Sequence, residues 1–354
     1  MKKIIITTII AVSTVFSESF PLMPSFVESG SIVNTTYFNA GAAFPANPGS
    51  MSLNPAIPAA WHFFSQNKMS VFGMYNNNDE FDFYKTGGGG SLALGRGMYI
   101  GVEYNLRNEY DNYKKLHHRS TVSYGTLIDD NHDNPLFVGA SISYYNFNGN
   151  LQKMGLQRVK KDTIQNIEAK YNAISTDLGF YQYSEGVGLS WGIVFENILG
   201  YSWTSNNPYM EIINDSAYYV FSEKKTNGFL NKKYNSFLLA TNLSIPLFDN
   251  RIILMAPIDV RFWGFMNKNL RKSAKIKHRT EVHSGFEAQF RGMFCGRFGW
   301  AWIPDEYKTS EDGQLNYTNW TNRFSGGIGI NIKMFSIDAF LAKGAWGTGL
   351  TFSL

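Results

Sequence analysis

The residues best suited to chemistry crowd into one stretch. His283 stands two residues after Glu281 and four before Glu287, with Arg279, Arg291 and Arg297 around them. A histidine beside carboxylates suits general acid–base work, and histidines with carboxylates at the right spacing hold metals. Neither chemistry is completed. The six histidines lack HExxH or comparable spacing, and no nucleophile is recognisably arranged near His283. His117 and His118 point to opposite faces if they lie on a strand. The run 87–90 is four glycines, but Ser-Leu-Ala follows it rather than Gly-Lys-Ser/Thr, so it is no phosphate loop. Glycines within a strand mark a bend, a bulge or a close backbone approach, and here they offer a place for a gap in a wall of strands. Cys295 is the one cysteine, which excludes an intramolecular disulfide and a Cys-based zinc site. The expectation is no enzyme and no cofactor.

The charged residues make better sense once the elements beneath them are read. Ile276, His278, Thr280, Val282, Phe286, Ala288 and Phe290 share one face of a two-residue alternation. Lys277, Arg279, Glu281, His283, Glu287, Gln289 and Arg291 share the other. Met98, Ile100, Val102, Tyr104 and Leu106 repeat the pattern opposite Glu103 and Asn105. Ile252, Leu254, Ile258, Val260 and Phe262 do so opposite Asp259 and Arg261. Phe294, Phe298, Trp300 and Trp302 oppose Cys295 and Arg297. Such runs predict fourteen strands, at 69–76, 88–95, 97–106, 117–127, 136–145, 174–182, 187–196, 236–246, 251–265, 276–291, 294–303, 323–332, 334–342 and 346–354.

The connections alternate in length. Short ones fall near 95–97, 129–135, 183–186, 247–250, 292–293 and 333. Long ones cover 77–87, 107–116, 146–173, 197–235, 266–275 and 304–322, with 343–345 a short exception. Tight turns at one end and longer loops at the other are the habit of an up-and-down barrel in an outer membrane. The fold class expected is therefore all-β, a closed antiparallel transmembrane barrel of about fourteen strands. A barrel of that size encloses a lumen. Its polar lining is expected to include Glu103, Arg261, Arg279, Glu281, His283, Glu287, Arg291, Arg297 and Asp338.

Composition and both ends of the chain agree with this. Aromatics make up 16% and charged residues only 17%, against about 25% charged in soluble domains, as interfacial aromatic girdles require. Lys2 and Lys3 precede an apolar stretch over 4–16, with small residues at Ser17 and Ser19, which is the layout of a secretory signal peptide over 1–17. Net charge is +4, or +2 once Lys2 and Lys3 leave, too little to argue for nucleic acid. No run of 18 apolar residues exists for a helical span. At the far end Trp346, Thr348, Leu350, Phe352 and Leu354 share one face of a strand that pairs, on this reading, with the strand near 69–76.

Residues 18–66 precede the barrel, over 67–354, and read as neither long helix nor strand. They carry small residues and prolines, as in Asn47-Pro48-Gly49-Ser50 and then Asn54-Pro55-Ala56, with a short helix expected through 59–64. With three residues between, these two phrases resemble the entrance of the FadL-type transporters of hydrophobic compounds, which runs Asp-Pro-Ser-Ala, three residues, Asn-Pro-Ala. Glu196-Asn197-Ile198-Leu199-Gly200 resembles an Asn-x-x-Gly phrase in the PorV-like branch of that superfamily. Ile57-Pro58 departs from the Gly-Leu that usually follows Asn-Pro-Ala. Gly349, Phe352 and Leu354 resemble the C-terminal signal read by the barrel assembly machinery, with Leu354 in place of a terminal aromatic.

The resemblance implies fourteen strands and an N-terminal hatch within the lumen. It implies passive passage of a hydrophobic or amphipathic small molecule or a detergent-like ligand, across a bacterial outer membrane and in contact with its lipid. Hatch and ligand contacts are expected at Phe38, Phe44, Met51, Leu53, Asn54, Pro55 and Ala56, with Asn54 holding the hatch by hydrogen bonds. The PorV-like branch implies instead an anchor or shuttle that binds secreted protein partners through the loops 146–173 and 197–235.

Overall fold

The structure, a computed structural model, describes residues 54–56 and 59. Between 68 and 353 it describes the strands named below, the turns at 187–188, 248–251 and 291–293, and residues 131, 134 and 135. The expected signal peptide, Phe38, Phe44, Met51, Leu53 and Arg279 lie outside the described residues. For Glu103 and Glu281 the strand backbone is described and the side chain is not.

Nineteen strands are described: β1 Lys68–Asn78, β2 Phe81–Gly95, β3 Met98–Glu109, β4 Lys115–Asp129, β5 Leu136–Asn150, β6 Glu168–Ser184, β7 Leu189–Ser205, β8 Asn207–Ile213, β9 Ser216–Ser222, β10 Thr226–Phe229, β11 Ser236–Leu247, β12 Ile252–Trp263, β13 Thr280–Phe290, β14 Phe294–Pro304, β15 Lys308–Thr309, β16 Leu315–Asn316, β17 Trp320–Ile332, β18 Phe335–Ala342 and β19 Ala345–Ser353. Fifteen belong to one sheet, in which the short β10 lies along β7. Each of the other fourteen is hydrogen-bonded to two antiparallel neighbours. Sequential strands pair from β1 to β7, then β7 with β11, β11 through β14 in order, β14 with β17, and β17 through β19. Strand β19 pairs in turn with β1, setting Met69 opposite Phe352 and Asn76 opposite Ala345. These fourteen coincide with the fourteen runs of alternation in the sequence.

The two faces of the sheet differ in kind. Along β11, buried Ser236, Leu238, Ala240 and Asn242 alternate with exposed Leu239 and Leu243. Along β4, buried Arg119, Thr121 and Ser123 alternate with exposed Val122 and Tyr124. The exposed face is the oily one: Leu92 is 61%, Ile328 67% and Leu341 68% exposed. The covered face carries the serines and charges. That inversion of a soluble protein's pattern is what a lipid-facing strand demands.

Three expectations about the loops are corrected. The connection expected over 77–87 shrinks to 79–80, because β2 begins at Phe81. The reason is the glycine run, which has no side chains to register alternation and hid the strand ahead of it. The ladder is unbroken there, Gly87 to Gly90 pairing with Phe72 to Met69 on one side and with Asn105 to Val102 on the other. No gap in the wall arises at these glycines. Finally, β6 and β7 extend well into the regions read as loops, and 197–235 contains the separate hairpin β8–β9.

Candidate functional site

Asn54-Pro55-Ala56 lies against the covered face of the sheet, and all three residues are buried. The Asn54 Nδ2 donates to the carbonyl oxygen of Phe180, on β6, at 2.8 Å. Its Oδ1 accepts from the Ala56 backbone N–H at 2.9 Å, a local turn that asparagine side chains commonly close. Pro55 has no N–H to satisfy. A buried loop is stable only when its polar groups find partners, and this side chain satisfies the Ala56 N–H while tying the loop to a carbonyl of β6. Ala56 and Ala59 pack with Phe137 and Tyr181, joined by Tyr99, Leu127 and Tyr183. The Phe137 and Tyr181 rings stack with centroids 6.1 Å apart.

The charged residues on the same face form three repeated units. Each arginine reaches a carboxylate two strands away, across a small residue on the strand between. Arg119 of β4 reaches Asp177 of β6 (Nη2–Oδ2 3.5 Å) past Ser143 of β5, whose hydroxyl accepts from Nη2 at 3.1 Å. Its guanidinium also lies over the Tyr145 ring, 5.3 Å from the centroid. Arg261 of β12 reaches Glu196 of β7 (3.2 Å) past Ser236 of β11, whose hydroxyl donates to the same carboxylate. Arg297 of β14 pairs with Glu287 directly opposite on β13 (Nε–Oε2 2.6 Å) and with Asp338 of β18. To reach Asp338 it passes Gly329 of β17, where an added Cβ would overlap the Asp338 carboxylate and the Cys295 sulfur. A fourth pair joins His283 Nδ1 to Asp259 Oδ1 at 2.6 Å across β13 and β12.

A polar lining in water was expected for these residues, and for the described ones the structure corrects it. Arg261 is 1% and Glu287 3% exposed, and His283, Asp259 and Asp338 are also buried. A desolvated charge costs several kcal/mol unless it is paired, and the described buried charges stand in near-neutral pairs. Arg291 is a second correction. It is exposed in the turn between β13 and β14, at φ +51, with Gly292 at +64 and its guanidinium over Phe290. Two positive φ values in the three-residue connection 291–293 suit the twist of a hairpin, and the alternation ends one residue before Arg291.

Sequence reasoning did not select Arg119, Asp177 or Glu196 as site residues. Arg119 was accessible to it, since it shares a face with Thr121 and Ser123. So was Glu196, which continues the buried phase of Ser190, Gly192 and Val194, but Asn197 was not, because a bulge changes its facing. Thr176 pairs with Leu199 and Leu178 with Phe195, so Glu196, Asn197 and Ile198 all oppose Asp177. Asn197 takes φ +52, which asparagine tolerates, and its N–H donates to Asp177 Oδ1 at 2.8 Å. Both Glu196 and Asn197 are consequently buried. Among the described residues no three His, Cys, Asp or Glu side chains converge as a metal site.

No protein-family model and no curated protein matches the sequence. Solved structures do match the fold. The CymD monoaromatic hydrocarbon channel superposes with a TM-score of 0.52 at 12% identity, over 91% of this chain and 96% of CymD. The deltaS2S3 mutant of the TodX monoaromatic hydrocarbon channel gives 0.51 at 8% identity, over 91% and 98%. At such identities the likeness is one of fold alone, the fold of these two hydrocarbon channels. It does not single out the PorV-like branch.

Proposed function

We propose that this chain is an outer-membrane β-barrel through which a hydrophobic or amphipathic small molecule passes, its lumen governed by an N-terminal hatch that includes Asn54-Pro55-Ala56. On this reading residues 1–17 are a signal peptide, 18–66 the hatch and 67–354 the barrel. The observation that carries it is the burial of Asn54-Pro55-Ala56 against the polar face of a sheet whose other face is apolar. A segment of chain occupies the side where a lumen would run, in the fold of two hydrocarbon channels. The barrel is closed, since in lipid an open sheet edge costs several kcal/mol per unpaired group. The short turns face the periplasm and the longer connections face outward.

The cargo class follows from the chemistry of the wall. Arg119, Arg261 and Arg297 on the covered face each have a carboxylate partner, so these residues do not select an anion by charge, and a small apolar body is the better fit. Movement down a gradient needs no energy source and no catalytic step. The test is uptake of a hydrophobic probe into proteoliposomes. Replacing Asn54-Pro55-Ala56 by Gly-Ser-Gly should change the rate severalfold. An unchanged rate would overturn the proposal.

One observation favours a second reading. The hairpin β8–β9 forms a sheet of its own between β7 and β11, a surface through which a PorV-like anchor could bind secreted proteins. Deleting residues 207–222 should leave probe uptake intact under the first reading. Under the second it should abolish co-purification of secreted protein.

A further inference from the structure

The inner wall beneath Asn54-Pro55-Ala56 has an order that neither the hatch nor the charge pairs explain. Three glycines lie in one row across three strands, Gly125 of β4 opposite Gly139 of β5, and Gly139 opposite Gly179 of β6. All three are buried. A Cβ on Gly125 would stand 3.1 Å from the Pro55 carbonyl oxygen and 3.2 Å from the Ala59 Cβ. One on Gly139 would overlap the Pro55 carbonyl. One on Gly179 would overlap the Asn54 Oδ1 and lie 2.7 Å from the Pro55 Cδ. In each case the obstructed group is backbone or the ring fused to it, or the side chain that makes the hydrogen bond to Phe180.

The rows on either side complete the shape. One step along the strands toward the long loops, Ser123, Ser141 and Asp177 stand in register. One step toward the short turns, Leu127, Phe137 and Tyr181 do. The result is a trough with a polar lip, a bare backbone floor and an apolar sill. Asn54-Pro55-Ala56 fills it. The hydrogen bond to Phe180 and the packing of Ala56 and Ala59 on the sill locate the segment along and across the trough.

We propose that Gly125, Gly139 and Gly179 are positioning residues, a seat that holds Asn54-Pro55-Ala56 fixed while cargo passes. This rests on the reading of the chain as a hatch-governed channel. The seat is a permanent anchor for the hatch, and passage does not require the segment to leave it. The contact has the marks of an anchor: no exposed area at Asn54 or Ala56, both Asn54 amide atoms hydrogen-bonded, and close backbone approach on three strands at once.

Two measurements on the full chain test it. The first bridges the segment to its seat with the pair Asn54→Cys and Gly179→Cys. The Asn54 Cγ lies 3.0 Å from where a Gly179 Cβ would be, within reach of a disulfide. In proteoliposomes loaded with 1-naphthol as probe, the oxidised and reduced forms should pass it at equal rates. Arrest on oxidation with recovery in dithiothreitol would overturn the anchor.

The second is ion conductance of Gly139→Ala in planar bilayers. Crowding the Pro55 carbonyl should unseat the segment and raise conductance about tenfold. The rise should vanish when residues 54–56 are already replaced by Gly-Ser-Gly, because the glycine acts through that segment alone. A glycine needed only for the strand itself would give the same change in both backgrounds, and that outcome also overturns the seat. If the native chain passes no probe, the channel reading fails, and the conductance comparison still decides the seat.

Discussion

Two glycine-bearing regions of the inner wall put the missing Cβ to different uses. On β4 to β6, Gly125, Gly139 and Gly179 receive the docked segment, chiefly the Pro55 and Ala56 backbone with the Asn54 side chain and the Ala59 Cβ. On β17, Gly329 receives side-chain ends, the Asp338 carboxylate and the Cys295 sulfur together with the guanidinium that crosses from β14 to β18. The first region joins the N-terminal segment to the sheet, and the second joins strands of the sheet to one another. Tolerance should follow from what fills the space. A backbone docked on three strands cannot give way, whereas the end of a long side chain can.

The largest effect should come from the second region when its filler is removed. Arg297→Ala leaves Glu287 and Asp338 buried and facing each other's side of the gap without the cation that neutralises them. Loss of one partner from a buried pair costs about 3–5 kcal/mol. Urea unfolding of the folded barrel in lipid vesicles should show a midpoint lowered accordingly, while the Asn54 contact is untouched. If instead Arg297→Ala unfolds at the native midpoint, the charge pairs are ornaments of the wall and the contrast between the regions collapses.

Next come the glycines themselves. Gly139→Ala should cost about 1–3 kcal/mol, the usual range for forced overpacking. Gly329→Ala should cost less, because the Asp338, Cys295 and Arg297 atoms in its way are side-chain ends. The same unfolding measurement ranks the two, and a reversed order would mean that the β17 side chains are held more rigidly than the docked segment. Asn54→Ala should follow, at about 1–3 kcal/mol for a buried carbonyl of Phe180 and N–H of Ala56 left without their partner. Part of that cost returns if water enters, so we expect the lower half of the range. Protease sensitivity near residue 54 reads it directly.

The contrast also explains what could be read from the sequence. Alternation located all fourteen long strands, because an apolar exposed face and a covered polar face impose a strict period of two. It failed wherever that rule lapses. Four glycines in β2 carry no facing information, and β2 was shortened at its start as a result. The bulge opposite Asp177 puts Glu196 and Asn197 on one face, which no fixed period anticipates. The arginine partners were illegible for another reason: Arg261 and Glu196 are 65 residues apart, and their meeting depends on the register of three strands at once. Asn54 stood out because its short phrase resembles the Asn-Pro-Ala of the FadL-type entrance, but its glycine seat is assembled from three distant single residues.

The smallest expected effect separates two arginines that the sequence treated alike. Arg291 and Arg297 belong to the same hairpin, and both were expected to line the lumen. The turn carries Arg291 out into the open, where its backbone N–H donates to the Arg251 carbonyl and its side chain lies over the face of the neighbouring Phe290. An exposed cation–aromatic contact and a surface side chain away from any buried group leave little to lose, so Arg291→Ala should move stability by no more than about 0.5 kcal/mol. Conductance and probe uptake should stay at native values. The backbone is the sensitive part of this turn. Gly292→Ala, forcing a side chain at φ +64, should cost more than Arg291→Ala although it removes no contact at all. Equal costs for Arg291→Ala and Arg297→Ala would mean that both side chains share one environment, and the division between a paired inner wall and an open turn would have to be redrawn.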